Sequence, residues 1–233
     1  MHSLGLMRNP LCRHMAGAYT WANIQRDFSG WHQGRSPYLI WAIDLDTLRV
    51  RQAVLRVRRR LPGLLRGDYV RQPHLTLELC GFPALSASAS DEFMPEDVAV
   101  QVAGLRHAGL SPFGLDIGGV SSFDGAPYLV VRDRQQQLPV VRHALKGGGG
   151  DRLWGLFEPH VTVGLYARRY PVRRLAKQLR SRHDPALKVR VERLTLMAYD
   201  SARIGGKLRR LAVFELASGG LRWLSPWPGV GVL

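Results

Sequence analysis

Pro73-His74-Leu75-Thr76-Leu77-Glu78-Leu79 and Pro159-His160-Val161-Thr162-Val163-Gly164-Leu165 are two versions of one pattern, 86 residues apart. With eight His and five Thr among 233 residues, shuffling would give about 0.2 His-x-Thr triplets. Two occur, both follow proline, and both carry aliphatic residues between and after the polar pair. A second resemblance precedes each: Pro37-Tyr38-Leu39-Ile40 and Pro127-Tyr128-Leu129-Val130, 90 residues apart. The order strand, helix, His-x-Thr strand is the same in both halves, so the chain reads as a duplicated β-α-β unit.

Side chains alternate faces along a strand. His74 and Thr76 therefore share one face and Leu75 and Leu77 the other; His160 and Thr162 stand likewise against Val161 and Val163. The aliphatic faces are expected in the core and the His-Thr faces across a pseudo-two-fold axis. Proline fits at the first residue of each strand, where it costs no ladder hydrogen bond. The duplicated unit admits parallel or mixed pairing. The fold class expected is α+β: two lobes with pseudo-two-fold symmetry, antiparallel or mixed sheets around a central cleft, and helices outside.

Outward from the motifs, Tyr38 to Ile43 is an apolar run that predicts a buried strand. Asp46 or Thr47 can cap a helix that runs to about Arg60 and stops at Pro62-Gly63. The segments 98–102, 113–120 and 128–131 read as strands, and 86–95 as loop. A helix is expected over 135–145 with Pro139 in its first turn, and another over 172–182. Residues 187–199 and 209–216 read as two closing strands. Asp27 to Arg35 reads as loop. The domain boundaries expected are an N-terminal extension at 1–35, one bilobal domain at 36–216 (lobes near 36–110 and 111–216, with strand exchange between them allowed), and a tail at 217–233.

Composition narrows the function. The chain is 45% hydrophobic and 22% charged, with 33 Lys and Arg against 18 Asp and Glu, a formal charge of +15. Such a balance attracts phosphate polymers and anionic substrates. No run of about 18 apolar residues argues for a membrane span, and polar residues interrupt Met1 to Tyr19, so no secretory signal is expected. Cys12 and Cys80 form no C-x-x-C pair and no disulfide framework, which argues against zinc and for a reducing cytoplasm. Gly147 to Gly150 is not followed by Lys-Ser or Lys-Thr, so a loop, not a phosphate cradle, is expected.

Two imidazoles and two hydroxyls form a self-sufficient set for phosphodiester chemistry. A histidine titrates near 6.5, so one ring can be neutral and its partner charged. The neutral ring can deprotonate water or a ribose hydroxyl, and the charged ring can protonate the leaving oxygen. The threonine hydroxyls can donate to non-bridging oxygens.

The paired motifs, His74-Leu75-Thr76-Leu77 and His160-Val161-Thr162-Val163, resemble the signature of the 2H phosphoesterase superfamily, which includes bacterial 2'-5' RNA ligase-like proteins and RNA 2',3'-cyclic phosphodiesterases. The resemblance spans about residues 36–216. It implies a bilobal α+β fold with the motifs on central strands lining a cleft. It implies hydrolysis of 2',3'-cyclic phosphates, or reversible 2'-5' linkage chemistry, with His74 and His160 catalytic and Thr76 and Thr162 binding phosphate. The expected partner is RNA or a nucleotide with a cyclic phosphate. No cofactor and no metal are expected, and the chain is expected to act as a monomer. A cyclic phosphate of a small nucleotide such as ADP-ribose, or a non-catalytic RNA-binding module, would leave the same motifs.

The remaining polar and aromatic residues are weaker signals. The six other histidines are expected at the surface, and Arg56 to Arg60 on a solvated helix face. Arg203, Lys207, Arg209 and Arg210 could overhang the cleft and bind phosphate. Tyr38 and Tyr128 are expected in the core. Trp31, Trp41 and Trp154 could stack a base, with burial favoured for Trp41.

Overall fold

A computed structural model describes residues 17–24, 28–86, 88–146, 157–179 and 186–228. The apolar run becomes β1 (Tyr38–Asp44), and α2 (Leu48–Arg59) follows, after the one-turn α1 (Ser29–His32). Thr47 caps α2 by accepting from the Val50 amide, and the helix buries Val50, Ala53, Val54 and Val57. Next come β2 (His74–Pro83), β3 (Glu92–Phe93), α3 (Pro95–His107), β4 (Phe113–Ser122) and β5 (Pro127–Arg132). The chain continues through α4 (Gln137–Lys146), β6 (His160–Thr162), α5 (Val172–Leu179), β7 (Leu187–Val191), β8 (Arg193–Tyr199), β9 (Arg209–Glu215) and β10 (Gly220–Trp223).

Two sheets result, in the orders β10-β9-β8-β1-β2-β3 and β6-β5-β4-β7. All described ladders are antiparallel except the short β2–β3 pair. The sheets curl around a central cleft with the helices outside. One core cluster joins Leu39, Trp41 and Ile43 of β1 to residues of both sheets and of α2 to α5. The opposite face of the first sheet carries a smaller cluster of Tyr38, Ile40, Ala42, Phe82, Met197 and Leu208. Trp41, buried as expected, donates from Nε1 to Gln101 Oε1 at 2.7 Å, and Gln101 Nε2 donates to the Leu145 carbonyl at 2.7 Å. That chain of bonds ties β1 to α3 and α4.

Several expectations are corrected. Residues 98–102 are helical, inside α3. Pro95 occupies its first turn, the Met94 amide donates to the Asp97 carboxylate, and Val98, Val102 and Leu105 are buried at helical spacing. The segment 86–95 is not all loop, since β3 lies within it. Residues 187–199 are two strands separated by Glu192, β7 on the second sheet and β8 on the first. The second His-x-Thr strand stops at Thr162, short of the Leu165 that ends its motif. The tail contributes β10, an edge strand on β9, and Ser29 to His32 is a helical turn. Gly147 to Gly150, Trp154, Cys12, and His2, His14 and His183 lie outside the described residues. The segment 19–23 pairs with the second half through Tyr170, Asp124 and Tyr166. Among the described residues, no helix is long and apolar enough to cross a membrane.

Candidate active site

The two His-x-Thr strands are built alike. Each histidine opens its strand after a proline. His74 Nδ1 lies 2.8 Å from the Gln72 carbonyl oxygen, and His160 Nδ1 lies 2.7 Å from that of Glu158. The Pro73 carbonyl accepts from the Leu45 amide, and the Pro159 carbonyl accepts from the Val131 amide. A carbonyl only accepts, so each Nδ1 carries a proton and proton exchange is left to Nε2. The neutral ring is then a base at Nε2, and the charged ring an acid at the same atom.

Ladder partners fix the faces. Ala42 stands opposite Thr76 and Asp44 opposite His74; Tyr128 stands opposite Thr162 and Val130 opposite His160. Leu75, Leu77, Val161 and Val163 are fully buried in the core, while Thr76 and Thr162 are half-buried. β2 packs against β6, and His74 and His160 are near enough to feel each other's charge. The structure thus brings together all four residues singled out by the motifs.

The register also corrects one part of the repeat. Both ladders relate the halves by the 86-residue offset, so Ala42, not Tyr38, is the counterpart of Tyr128. The Pro-Tyr similarity, at an offset of 90, is out of step by four residues.

The two histidines consequently sit in different surroundings. Tyr128 and Phe123 lie against His160, with ring centroids at 5.3 and 4.9 Å. His74 is buried, 8% exposed, and pushed down to about 4. Burial is the main cause, with the charges of Arg71 and His160 acting in the same direction and the Gln72 carbonyl and Asp44 opposing. Asp44 is itself paired with Arg210. Gln72 clamps His74 through its carbonyl, and its amide side chain also exchanges two hydrogen bonds with the Leu208 backbone, at 2.8 and 2.9 Å. That pair of bonds anchors the β8–β9 loop beside the histidine.

Residues that carried weak signals resolve as follows. Arg203, Lys207, Arg209 and Arg210 are exposed, and Arg210 is committed to Asp44. His32 is buried, contrary to the surface expectation, because its Nδ1 accepts from the Gly34 amide in a tight turn; His107 and His143 are exposed. Arg71, Asp44 and Phe123 had no sequence signal, since only the register and the β8–β9 loop bring them to the motifs. Tyr128 was expected in the core and is fully buried, yet it packs on a motif histidine.

A family model described as the 2'-5' RNA ligase superfamily matches residues 44–203, which include both motifs. The chain belongs to the 2'-5' RNA ligase superfamily. Its fold is similar to a crystal structure of a phosphoesterase, with a TM-score of 0.52 and 18% identity, covering 78% of this chain and 100% of that one. It is similar to Escherichia coli LigT complexed with 3'-AMP, with a TM-score of 0.52 and 18% identity over 77% of this chain and 98% of LigT. It is also similar to TT0787 of Thermus thermophilus, with a TM-score of 0.50 and 20% identity over 77% and 97%. At these identities the likeness bears on fold. No curated protein matches the chain by sequence. Residues 17–43 and the strands β9 and β10 lie outside the span that the superfamily matches.

Proposed function

We propose that this member of the superfamily is a cyclic phosphodiesterase that opens 2',3'-cyclic phosphates, on RNA ends or nucleotides, by acid–base catalysis between His74 and His160. The observation that supports this most is the pair of Pro-His-x-Thr strands with matching Nδ1 clamps. His74, held neutral at physiological pH by burial, accepts a proton from water as the oxygen attacks phosphorus. His160 protonates the departing ribose oxygen as its bond to phosphorus breaks, leaving a phosphomonoester. Thr76 and Thr162 donate to the non-bridging oxygens as charge builds there. With a ribose 5'-hydroxyl in place of water, the same steps join a 2'-5' linkage: its oxygen bonds to phosphorus as His74 takes its proton, and His160 protonates the departing 3'-oxygen. Acid–base transfer between two imidazoles requires no metal ion. The excess of basic residues suits a nucleic-acid substrate, and LigT, of like fold, has been crystallised with 3'-AMP. We place the reaction in a reducing cytoplasm.

The test is hydrolysis of 2',3'-cyclic mononucleotides and of an RNA ending in a 2',3'-cyclic phosphate, in EDTA, with wild type, His74→Ala and His160→Ala. Activity that survives EDTA and falls by about 10²- to 10⁴-fold in each variant supports the reading. Equal RNA affinity in all three proteins without turnover would instead make the chain a binding module.

A further inference from the structure

The face of the first sheet that carries His74 and Thr76 also carries an aromatic row, and its outermost member is exposed. Ala42 stands opposite Thr76 and belongs to the small cluster with Tyr38, Ile40 and Phe82, so this cluster and the two motif residues share one face. Trp31, from α1, lies over it, with its ring centroid 5.2 Å from that of Tyr38 and 5.3 Å from that of Phe82. Tyr38 in turn lies 5.6 Å from Tyr199. The Arg71 guanidinium sits 4.4 Å above the Tyr199 ring, and its charge reaches His74. The row Trp31, Tyr38, Tyr199, Arg71 therefore leads to the histidine.

Tyr38 and Phe82 are buried and Tyr199 is partly buried, whereas Trp31 is 43% exposed. The turn that carries it is anchored through Arg35, which reaches the Trp31 carbonyl at 3.4 Å. Arg35 makes a two-pronged ion pair with Asp91 at 2.7 and 2.8 Å, its guanidinium lies 4.1 Å from the Phe82 centroid, and its carbonyl accepts from Ser201 Oγ at 2.6 Å. An indole packed on two aromatic rings with part of its surface open offers what base stacking requires. Tyr38 is four residues from Ala42, about 13 Å along the strand. A base on the ribose that carries the cyclic phosphate would not span that distance, whereas the base of the adjoining nucleotide would.

We propose that Trp31 is the stacking platform for the nucleotide that precedes the cyclic end, with Arg71 beside the connecting phosphate, so that the chain prefers RNA ends to cyclic mononucleotides. This rests on the cyclic phosphodiesterase reading and names its substrate class. Trp31 lies outside the residues matched by the superfamily, so the preference belongs to this chain's N-terminal segment.

The experiment compares kcat/KM for a 2',3'-cyclic mononucleotide, a dinucleotide with a 2',3'-cyclic end, and the same dinucleotide lacking its first base. The proteins are wild type, Trp31→Ala and Trp31→Phe. The expected result is a wild-type preference for the intact dinucleotide that falls roughly 10- to 100-fold in Trp31→Ala, chiefly through KM, and is restored in large part by Trp31→Phe. A drop of equal size on all three substrates would show a merely structural tryptophan and overturn the proposal, as would no drop. Should wild type hydrolyse none of them, the phosphodiesterase reading fails. The platform is then judged by the affinity of a dinucleotide 3'-phosphate, followed by tryptophan quenching, and equal affinity in wild type and Trp31→Ala overturns it.

Discussion

Lowering the pH should cost this protein stability through His74 in a way that can be isolated. The group titrates near 6.5 in an unfolded chain and at about 4 in the folded one, where burial penalises its charged form. The folded state therefore binds fewer protons than the unfolded state between these values. The resulting stabilisation is fully present above about pH 6.5 and is lost as pH falls towards 4. A shift of this size corresponds to about 3 kcal/mol, of which about 2–3 kcal/mol is gone by pH 4.5. The assay is urea unfolding at pH 7.5, 6, 5 and 4.5 of wild type and His74→Asn, whose amide keeps a donor towards the Gln72 carbonyl but does not titrate. Asp46 and Asp68, held low by Arg51 and Arg66, add acid-side losses common to both proteins, so only the difference is read. The gap between the two curves should narrow towards acid by that amount. Parallel curves would refute the buried, neutral histidine. The acid limb of kcat/KM, which reports the free enzyme, should likewise lie nearer pH 4 than 6.5.

Three further outcomes follow from packing. Gln101→Ala leaves the Trp41 Nε1–H and the Leu145 carbonyl without their partner and should cost about 1–3 kcal/mol in chemical denaturation, with the midpoint shifted and the slope unchanged. Gly104→Ala places a Cβ 2.6 Å from the Ala144 carbonyl oxygen, where α3 meets α4, and should lower the melting temperature, at a cost of about 1–3 kcal/mol; an unchanged Tm would mean that the helices separate freely. Thr47→Ala removes the cap on the Val50 amide and should cost about 1 kcal/mol, measurable in the same urea titration.

Much of this fold was legible because burial on both faces leaves an apolar run. β1 and β5 announce themselves so, the His-x-Thr strands show by alternation, and Thr47 marks a helix start. α3 was not legible as a helix, because Val98, Val100 and Val102 alternate like a strand. The helix wins through Pro95, the Asp97 cap and the internal Gln101, whose polarity conceals an inward position. β10 was missed since four residues at an edge carry no period of their own. The motif residues were read directly, as they need only local alternation. Asp44, Phe123 and Arg71 were not, because their place depends on ladder register and on the β8–β9 loop. The repeat itself misled at Tyr38: similarity of Pro-Tyr dipeptides suggested equivalence, and hydrogen bonding decided otherwise.

The clamps on the two imidazoles have a consequence for how freely the surroundings can vary. Both acceptors are main-chain oxygens, which every amino acid supplies. The halves place a neutral amide, Gln72, and an acid, Glu158, at the clamping position, yet the imidazole geometry is the same. Ring orientation is thus insulated from side-chain drift at these positions, and one half can acquire new duties there, as Gln72 has in securing a neighbouring loop, without disturbing the proton-carrying nitrogen.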